Sequence, residues 1–264
     1  MSRNSQSVDR STNPADYQRV PHAVAAMPKD FASGFEIAPH AHERAQLIYA
    51  TVGTMRVATG DGVWVVPPQR ALWMPGGVQH GIVMLGDVTM RTLYLRSDAV
   101  AFMPDACKVL PVSPLLRELI VRATELPMHY DETGPAGHLM ALLLAEMQGL
   151  QSLPLQLPMP ADARLRDLCE ALLEAPGDRR SLAAWARTIN TSSRTLARRF
   201  QEETGLSFGA WRQQARVLDA MGRLAGGQPV TQVAFDLGYE SVSAFSAMFR
   251  RAAGASPRLY LHRP

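Results

Sequence analysis

Residues 230–260 read VTQVAFDLGYESVSAFSAMFRRAAGASPRLY, and this stretch decides the fold of the C-terminal part of the chain. A short apolar helix pattern runs into the polar turn Gly238-Tyr239-Glu240, and Ser241 then begins a second amphipathic helix as its N-cap. Two short helices joined by a tight turn predict a helix-turn-helix over residues 230–253.

A second, more divergent copy of this pattern lies upstream at residues 182–204. Ser181 and Ser192 are the predicted N-caps of its two helices, and Asn190-Thr191 forms the turn. The offset between the copies is 48 residues before the turn and 49 after it. The matched positions are Ala186 with Ala234, Ile189 with Leu237, Ser192 with Ser241, Leu196 with Phe245, Phe200 with Phe249, Gly205 with Gly254 and Ser207 with Ser256. A repeat that keeps core and cap positions while its exposed positions differ indicates two units with one task.

The positive charge of the chain is concentrated in the part that carries this repeat. Residues 160–264 contain 15 Arg and 10 acidic residues, whereas the preceding part has 12 basic and 14 acidic residues. A basic segment with two helix-turn-helix patterns favours binding to the phosphates of a DNA duplex. Charge alone is equally typical of a solvated helical surface, so the prediction depends on the repeat.

The second helix of each motif carries the residues expected to meet DNA, because its first turns enter the major groove. The inward positions are Leu196 and Phe200 in the first motif and Ala244, Phe245 and Phe249 in the second. Arg194 and Arg198 share the opposite face, and arginine binds guanine through two hydrogen bonds. The second motif presents small residues, which suit a thymine methyl group or shape fitting. The candidate DNA-binding residues are Ser192, Ser193, Arg194, Ala197, Arg198 and Arg199 in the first motif and Ser241, Val242, Ser243, Ser246 and Ala247 in the second. We expect the first motif to contribute more base specificity.

Residues 160–262 resemble the DNA-binding domain of the AraC/XylS family of transcription regulators. The matching positions are Ala234, Gly238-Tyr239, Ser241, Ser243-Ala244-Phe245, Phe249, Gly254, Ser256-Pro257 and Tyr260. The resemblance implies that a long connecting helix at 207–225 holds both recognition helices on one side of double-stranded operator DNA, in successive major grooves about 34 Å apart. It also implies base contacts at Arg194, Ala197 and Arg198 and at the exposed positions of the second motif. Ala197 departs from the long polar residues that are common at its position.

Strand signals fill residues 21–95. Short segments rich in β-forming residues, punctuated by Gly, Pro and Asp, lie at 31–37, 45–51, 54–59, 63–66, 70–73 and 89–95. Six or more short strands at this spacing predict an antiparallel barrel or sandwich. Residues 1–20 are polar and are predicted to form a disordered arm.

Two helices are predicted after the strands, at 114–126 and 134–150. Ser113 supplies an N-cap and Pro114 the first residue of the earlier helix. The later helix is apolar nearly all round, which requires burial on more than one side. The barrel would cover one face and a partner subunit of a homodimer the other, unless the helix is buried wholly within its own domain. Three prolines predict an extended linker over 151–160.

The predicted fold class is therefore α+β with two domains. Residues 21–150 form an N-terminal antiparallel β-barrel with two helices, which senses a ligand and dimerises. Residues 161–264 form a C-terminal all-α domain with helix-turn-helix motifs at 182–204 and 230–253.

His40, His42, Gln46 and His80 are the candidate metal ligands. Residues 40, 42 and 46 share parity, so a single strand through them would place all three on one face. The spacing HxH-x3-Q-x6-G, followed by PxG-x2-H, resembles the two motifs of the cupin family. That resemblance implies a small barrel in which the matching residues hold a divalent metal. Gln46 replaces the usual Glu, and Met84 stands where an Asn is common.

Three neutral imidazoles and a carboxamide oxygen can bind Zn, Ni, Cu or Fe. A polar lining for an organic effector and structural histidines are the alternatives. The main hypothesis is a homodimeric transcription regulator whose DNA binding is controlled by a small molecule or a metal in the barrel. A dedicated divalent-metal sensor shares this architecture. A metal-dependent cupin enzyme with an auxiliary helical domain is the competing class, and both Gln46 and the DNA-binding pattern argue against it.

The remaining composition restricts where the protein acts. Cys107 and Cys169 have a spacing that indicates neither a disulfide framework nor a thiolate zinc site. The N-terminus lacks the apolar core of a signal peptide, and no apolar run reaches the roughly 18 residues of a membrane span. We expect a cytoplasmic protein without a membrane partner.

Overall fold

The computed structural model describes residues 11–151, 156–253 and 256–258, which form two compact units. Residues 11–55 and 66–151 make up the first unit, and residues 56–65 join those from 156 onward in the second. Within these ranges, no helix has the length and apolar character needed to cross a membrane.

The described strands form one antiparallel sheet. They are β1 (Val24–Phe31), β2 (Glu36–His40), β3 (Ala45–Thr59), β4 (Gly62–Val66), β5 (Arg70–Met74), β6 (His80–Leu95), β7 (Lys108–Pro111) and β8 (Gln156–Pro158). In the first unit the order is β1-β6-β3-β5-β7, and β2 also pairs with β6. The antiparallel sheet is confirmed, whereas its closure into a barrel stays a prediction.

Three strands differ from the prediction. The segment 31–37 is not one strand, because Gly34 has a φ of 77° and turns the chain between β1 and β2. The segments 45–51 and 54–59 are one strand, β3, which passes through Gly53 without ending. Strand β6 begins at His80 rather than at residue 89.

Helices α1 (Pro114–Ala123) and α2 (Pro135–Gln148) pack on the core of the first unit. Ser113 caps α1 as predicted, since its Oγ accepts a hydrogen bond from the Leu116 amide at 3.1 Å. Helix α2 buries Met140, Leu143 and Met147 in the core. Leu142, however, is 46% exposed. The helix is therefore not buried all round within its own unit.

Residues 11–20 pack on the first unit, so the predicted disordered arm is wrong for this part, while residues 1–10 lie outside the described residues. Residues 14–17 form a 3-10 helix, and the buried Tyr17 ring stacks on Tyr94 with 5.8 Å between centroids. The buried Arg44 guanidinium donates hydrogen bonds to the carbonyl oxygens of Gln18, Val20 and His22. Charge-assisted bonds of this kind stabilise the segment on the sheet.

The second unit is helical, as predicted. Its helices are α3 (Ala163–Glu174), α4 (Leu182–Thr188), α5 (Ser193–Thr204), α6 (Phe208–Ala225), α7 (Val230–Asp236) and α8 (Val242–Ala253). Helix α6 connects the two motifs and buries Trp211, whose ring meets Phe200 of α5 edge-on at 5.8 Å. The predicted cap at Gly254 and the packing of Tyr260 lie outside the described residues.

The proline-rich segment is more ordered than a spacer. Strand β8 pairs with Gly62–Trp64 of β4, and Trp211 Nε1 donates a hydrogen bond to the Pro158 carbonyl at 2.7 Å. Residues 156–158 and the hairpin 56–65 therefore belong to the helical unit. The predicted extended linker over 151–160 is therefore wrong for residues 156–158. Local composition could not predict this, because it does not encode backbone pairing with a distant hairpin.

We predict that Arg44→Met lowers the free energy of unfolding by roughly 2–4 kcal/mol, because it leaves buried carbonyl oxygens without a donor. Hydrogen exchange should rise selectively in residues 11–22, and trypsin should cleave after Arg19 faster than in the wild type. Arg122→Met is the control, since the Arg122 side chain is 62% exposed and its pair with Glu125 lies on the surface. Unchanged exchange in residues 11–22 of Arg44→Met would contradict this role.

Candidate DNA interface and histidine site

Both helix-turn-helix motifs close their turns with the same backbone hydrogen bonds. The Thr191 amide donates to the Ala186 carbonyl at 2.9 Å, and the Tyr239 amide donates to the Ala234 carbonyl at 3.0 Å. The preceding residue has a positive φ in each case, 52° at Asn190 and 80° at Gly238. The 48-residue repeat in sequence is therefore a repeat in backbone geometry.

Each recognition helix begins at a serine N-cap. Ser192 Oγ accepts the Thr195 amide at 3.1 Å in α5, and Ser241 Oγ accepts the Ala244 amide at 3.2 Å in α8. Such a cap satisfies an amide that the helix leaves without a carbonyl partner. The cap positions predicted from the sequence are thus confirmed in both motifs.

The inward faces of the recognition helices are largely those predicted. Leu196 and Phe200 of α5 and Phe245 and Phe249 of α8 are fully buried. Ala244 was predicted to point inward but is exposed, and Met248 is buried on that helix instead. Ala244 lies one residue before Phe245, so the 100° turn per residue carries it off the buried face.

The first motif presents an arginine-bearing face. Arg194, Arg198 and Arg199 are all exposed, whereas Ser193 and Ala197 are partly buried. Arg198 Nη1 contacts both carboxylate oxygens of Glu202, at 2.7 and 2.9 Å. The Glu202 carboxylate thus binds the guanidinium for which the sequence predicts a contact with DNA.

Arg199 makes a different contact. Its Nη1 lies 3.4 Å from Asp162 Oδ2, and Asp162 is the N-cap of α3. The Glu203 carboxylate also accepts the Asp162 amide at 2.8 Å. Arg199 therefore ties α5 to the start of α3, in addition to its place beside the recognition face.

The second motif presents a smaller and less charged face. Ser241 and Ser243 are exposed, and Val242, Ser246 and Ala247 are partly buried. Phe235 of α7 is 52% exposed, although it lies within the motif. This face lacks the arginines that α5 carries at the equivalent turns.

The three predicted histidines converge in the first unit. A ring nitrogen from each of His40, His42 and His80 lies within 4.8 Å of the others. His40 is opposite His80 in the pairing of β2 with β6, and His42 lies in the irregular segment between β2 and β3. The parity argument for one strand through residues 40, 42 and 46 is wrong, because the chain leaves the sheet between β2 and β3. The convergence itself was correctly predicted.

Backbone carbonyls fix the tautomers of two of these rings. His40 Nδ1 donates to the Ala38 carbonyl at 2.8 Å, and His80 Nδ1 donates to the Val78 carbonyl at 2.9 Å. In a neutral ring the Nε2 atom then carries a lone pair. His80 Nε2 is buried without a hydrogen-bond partner among the described residues, and His40 Nε2 lies 3.1 Å from His42 Nε2.

Gln46 is buried, and its amide orientation is determined by a chain of hydrogen bonds. Thr92 Oγ1 donates to the Leu47 carbonyl at 3.1 Å, so it accepts from Gln46 Nε2 at 3.0 Å. Gln46 Oε1 is left buried without a partner in the described part of the chain. Tyr94 links the amide to the cluster: its hydroxyl is 3.5 Å from Gln46 Nε2 and its ring 5.1 Å from that of His42.

The electrostatics of the cluster favour neutral imidazoles. Burial, together with the neighbouring His40 and His80 rings, lowers the pKa of His42 to about 4. Burial also lowers the pKa of His80. Both rings are therefore uncharged at neutral pH, and the neutral ring is the form that binds a metal ion.

A cleft of about 810 Å³ lies beside His40 and His42. Its other walls come from the ordered N-terminal segment, between Asn13 and Arg19, and from Glu43. Charged side chains in its lining, among them Asp16, Arg19 and Glu43, offer hydrogen bonds to a ligand beside its apolar surface. No sequence pattern predicted that the segment 13–19 would line this cleft, or that Thr92, Tyr94 and Glu202 would contact candidate site residues. Each of these roles depends on a partner that only the fold brings near.

Comparisons with known proteins agree with this architecture. Residues 32–189 match the model of the AraC-like ligand binding domain, and residues 185–263 match a helix-turn-helix domain. The chain is 35% identical to the HTH-type transcriptional regulator NimR of Escherichia coli over 85% of its length and 82% of that protein. It is 28% identical to the arabinose operon regulatory protein of Salmonella typhimurium, over 74% of this chain and 64% of that one. A crystal structure of ToxT from Vibrio cholerae aligns with a TM-score of 0.39 and 12% identity, over 91% of this chain and 97% of that one.

Proposed function

This chain belongs to the AraC family of helix-turn-helix transcriptional regulators, and from that premise we propose that an effector in its first unit controls how both motifs read an operator. It is a DNA-binding regulator with a ligand-binding domain, not an enzyme. We also propose that it acts in the cytoplasm, where operator DNA would be bound.

The repeated turn geometry is the observation that carries the proposal for DNA. Two motifs with the same closing hydrogen bonds and serine caps present two recognition helices of the same kind. We assign base reading in the first motif to Arg194 and Arg198, where guanidinium groups suit guanine edges. Ser192, Ser193, Ala197 and Arg199 adjoin these positions and contact the backbone or groove walls.

The second motif provides a further grip on the duplex and reads bases less strongly than the first. Its candidate contacts, Ser241, Val242, Ser243, Ser246 and Ala247, are small and uncharged. Such side chains allow close approach to thymine methyl groups and to the sugar-phosphate backbone. Base discrimination therefore rests chiefly on the first motif.

The histidine cluster supports a metal ion as the effector or as part of the effector site. His40, His42 and His80 would hold it, and Gln46 Oε1 is a further candidate ligand. The donor set fits, because His80 Nε2 and Gln46 Oε1 are buried lone-pair donors without a described partner. Imidazole and carboxamide ligands suit Zn, Ni, Cu or Fe. A bound cation would cross-link β2, the following turn and β6.

A small organic molecule is the second candidate effector. The cleft of about 810 Å³ beside His40 and His42 supports it, since it is large enough for a metabolite-sized ligand. In this case the histidines would offer hydrogen-bond acceptors to the ligand rather than hold a metal. Either occupant controls DNA binding only if it favours one arrangement of the regulator over another.

Helices α1 and α2 support a homodimer. Leu115 of α1 is 48% exposed and Leu142 of α2 is 46% exposed, although both helices pack on the same core. Large apolar side chains on the exposed faces of two adjacent helices are typical of an interface with a second copy. Two copies would also bring two pairs of recognition helices to one operator.

We predict that Arg194→Ala and Arg198→Ala each weaken operator binding by roughly 1–3 kcal/mol and relax selectivity at one base position. Fluorescence anisotropy with single-base substitutions across the operator measures both effects. Arg199→Ala removes the same charge from the same helix, but the Arg199 guanidinium also pairs with Asp162. Its substitution should therefore weaken binding by a similar factor for every DNA sequence. A uniform loss for Arg194→Ala or Arg198→Ala would mark that residue as a phosphate contact instead.

We predict that the full-length chain binds one Zn(II), Ni(II), Cu(II) or Fe(II) ion and that His40→Ala with His80→Ala abolishes this binding. Calorimetric titration measures it, and a cation at about 100 times its Kd should stabilise the wild type by about 2.7 kcal/mol in thermal unfolding. His138→Ala is the control, because His138 is an exposed histidine outside the cluster. Equal binding by the double variant and the wild type would exclude the cluster as the metal site.

We predict that Leu142→Glu converts the dimer to a monomer in light scattering, because it places a charge in an apolar interface. Its melting temperature should change little, since this side chain is already half exposed. Gln148→Glu adds the same charge at an exposed polar position of α2 and should remain dimeric. A dimer that persists in Leu142→Glu would place the interface elsewhere.

A further inference from the structure

The loop that leads into the first motif lies directly against the turn of the second. A Cβ atom added at Gly177 would be 2.1 Å from the Asp236 carbonyl oxygen, and one added at Gly238 would be 3.0 Å from the Gly177 carbonyl oxygen. The two backbones therefore touch at a distance that only glycine permits. This contact joins the two motifs at a point remote from α6 in sequence.

Two arginines of α6 hold the same loop. Arg212 donates hydrogen bonds to the carbonyl oxygens of Arg180, at 2.7 Å, and Asp178. Arg216 donates to the carbonyl oxygens of Pro176, at 2.9 Å, and Asp178, at 3.0 Å. The loop 176–180 is thus fastened to the connecting helix by four charge-assisted bonds.

Arg216 also reaches the second motif. Its guanidinium carbon lies 5.8 Å from the centre of the Tyr239 ring, within cation–π range. Tyr239 belongs to the turn that closes the second motif and packs edge-on against the buried Phe245 of α8. One side chain therefore contacts the entry loop of the first motif and the turn of the second.

A competing explanation is that these arginines form an anion site. Arg179, Arg212 and Arg216 do line a cleft of about 320 Å³ together with Gly209 and Gly238. Arg212 and Arg216, however, direct their N–H groups at backbone carbonyls. A guanidinium that already donates to carbonyl oxygens has fewer donors left for a phosphate, so a structural clamp is the better account.

The clamp changes what α6 alone can do. Helix α6 has 18 residues, and α5, α7 and α8 pack on it, so it already limits how far either motif can pivot. A second point of contact closes a ring made of α6, the loop and the turn. Pivoting at either end of α6 then requires the loop contact to break.

We propose that Gly177, Arg212 and Arg216 are positioning residues that set the separation of the two recognition helices and thereby the operator spacing that the regulator accepts. This inference rests on the proposed reading of DNA by both motifs. Each base pair inserted between the two contacted segments moves one of them by about 3.4 Å along the helix axis and also rotates it. A DNA-binding unit whose two motifs are held at two points cannot adjust to that shift.

The test uses the full-length chain and the duplex that it enriches from a random library. Anisotropy is measured on that duplex, on versions with one or two base pairs inserted or removed between the contacted segments, and on versions with either segment scrambled. The wild type should lose about tenfold or more in affinity for each altered spacing. Gly177→Ala should lose about tenfold at the native spacing and show a flat or displaced spacing profile.

Gly209→Ala is the matched control, because it adds the same methyl group to the same unit where no heavy atom lies within 4 Å. Arg216→Gln provides a second variant that removes the clamp without adding bulk, and it should flatten the profile as Gly177→Ala does. Both variants are also measured on the duplex whose second segment is scrambled. An affinity equal to that of the wild type on this duplex shows that the first motif is still folded.

A wild-type spacing profile in both Gly177→Ala and Arg216→Gln would overturn the inference. A different outcome would refute the proposed reading of DNA by both motifs. If scrambling either segment leaves wild-type affinity unchanged, or if no duplex is enriched, the two-motif reading of DNA is wrong irrespective of the clamp.

Discussion

The backbone hydrogen bond that closes each helix-turn-helix determines how this chain presents its recognition helices. The amide after the turn returns to the carbonyl of Ala186 in one motif and of Ala234 in the other. Closure needs a residue that tolerates a positive φ, which is Asn190 in the first motif and Gly238 in the second. Since both alanines are buried with almost no exposed surface, a larger side chain there would force the two helices apart.

Such turns are predictable because every group that they need lies within a few residues along the chain. The serine caps and the burial of Phe200 and Phe249 follow from the same short-range pattern. Contacts between distant segments are not predictable in this way. Arg44 binds carbonyl oxygens that lie 22 to 26 residues earlier, and β8 pairs with β4 across almost a hundred residues. Nothing in the composition of either partner identifies the other.

The histidine cluster shows how a correct prediction can have an incorrect reason. Parity placed His40 and His42 on one strand, but β2 ends at His40, and His42 lies in the irregular segment before β3. The cluster forms because antiparallel pairing sets His40 opposite His80. Only the tertiary structure shows that Thr92 orients Gln46, since the donor and acceptor roles depend on the hydroxyl's second bond to Leu47.

The unpartnered atoms of this site restrict what can occupy it. A buried acceptor without a partner costs about 1–3 kcal/mol, and both His80 Nε2 and Gln46 Oε1 are such acceptors among the described residues. A cation would compensate each atom whose lone pair it accepts, and an organic effector would do so by donating N–H or O–H groups. A ligand that offers only acceptors would do neither, so the effector that we propose is a cation or a hydrogen-bond donor.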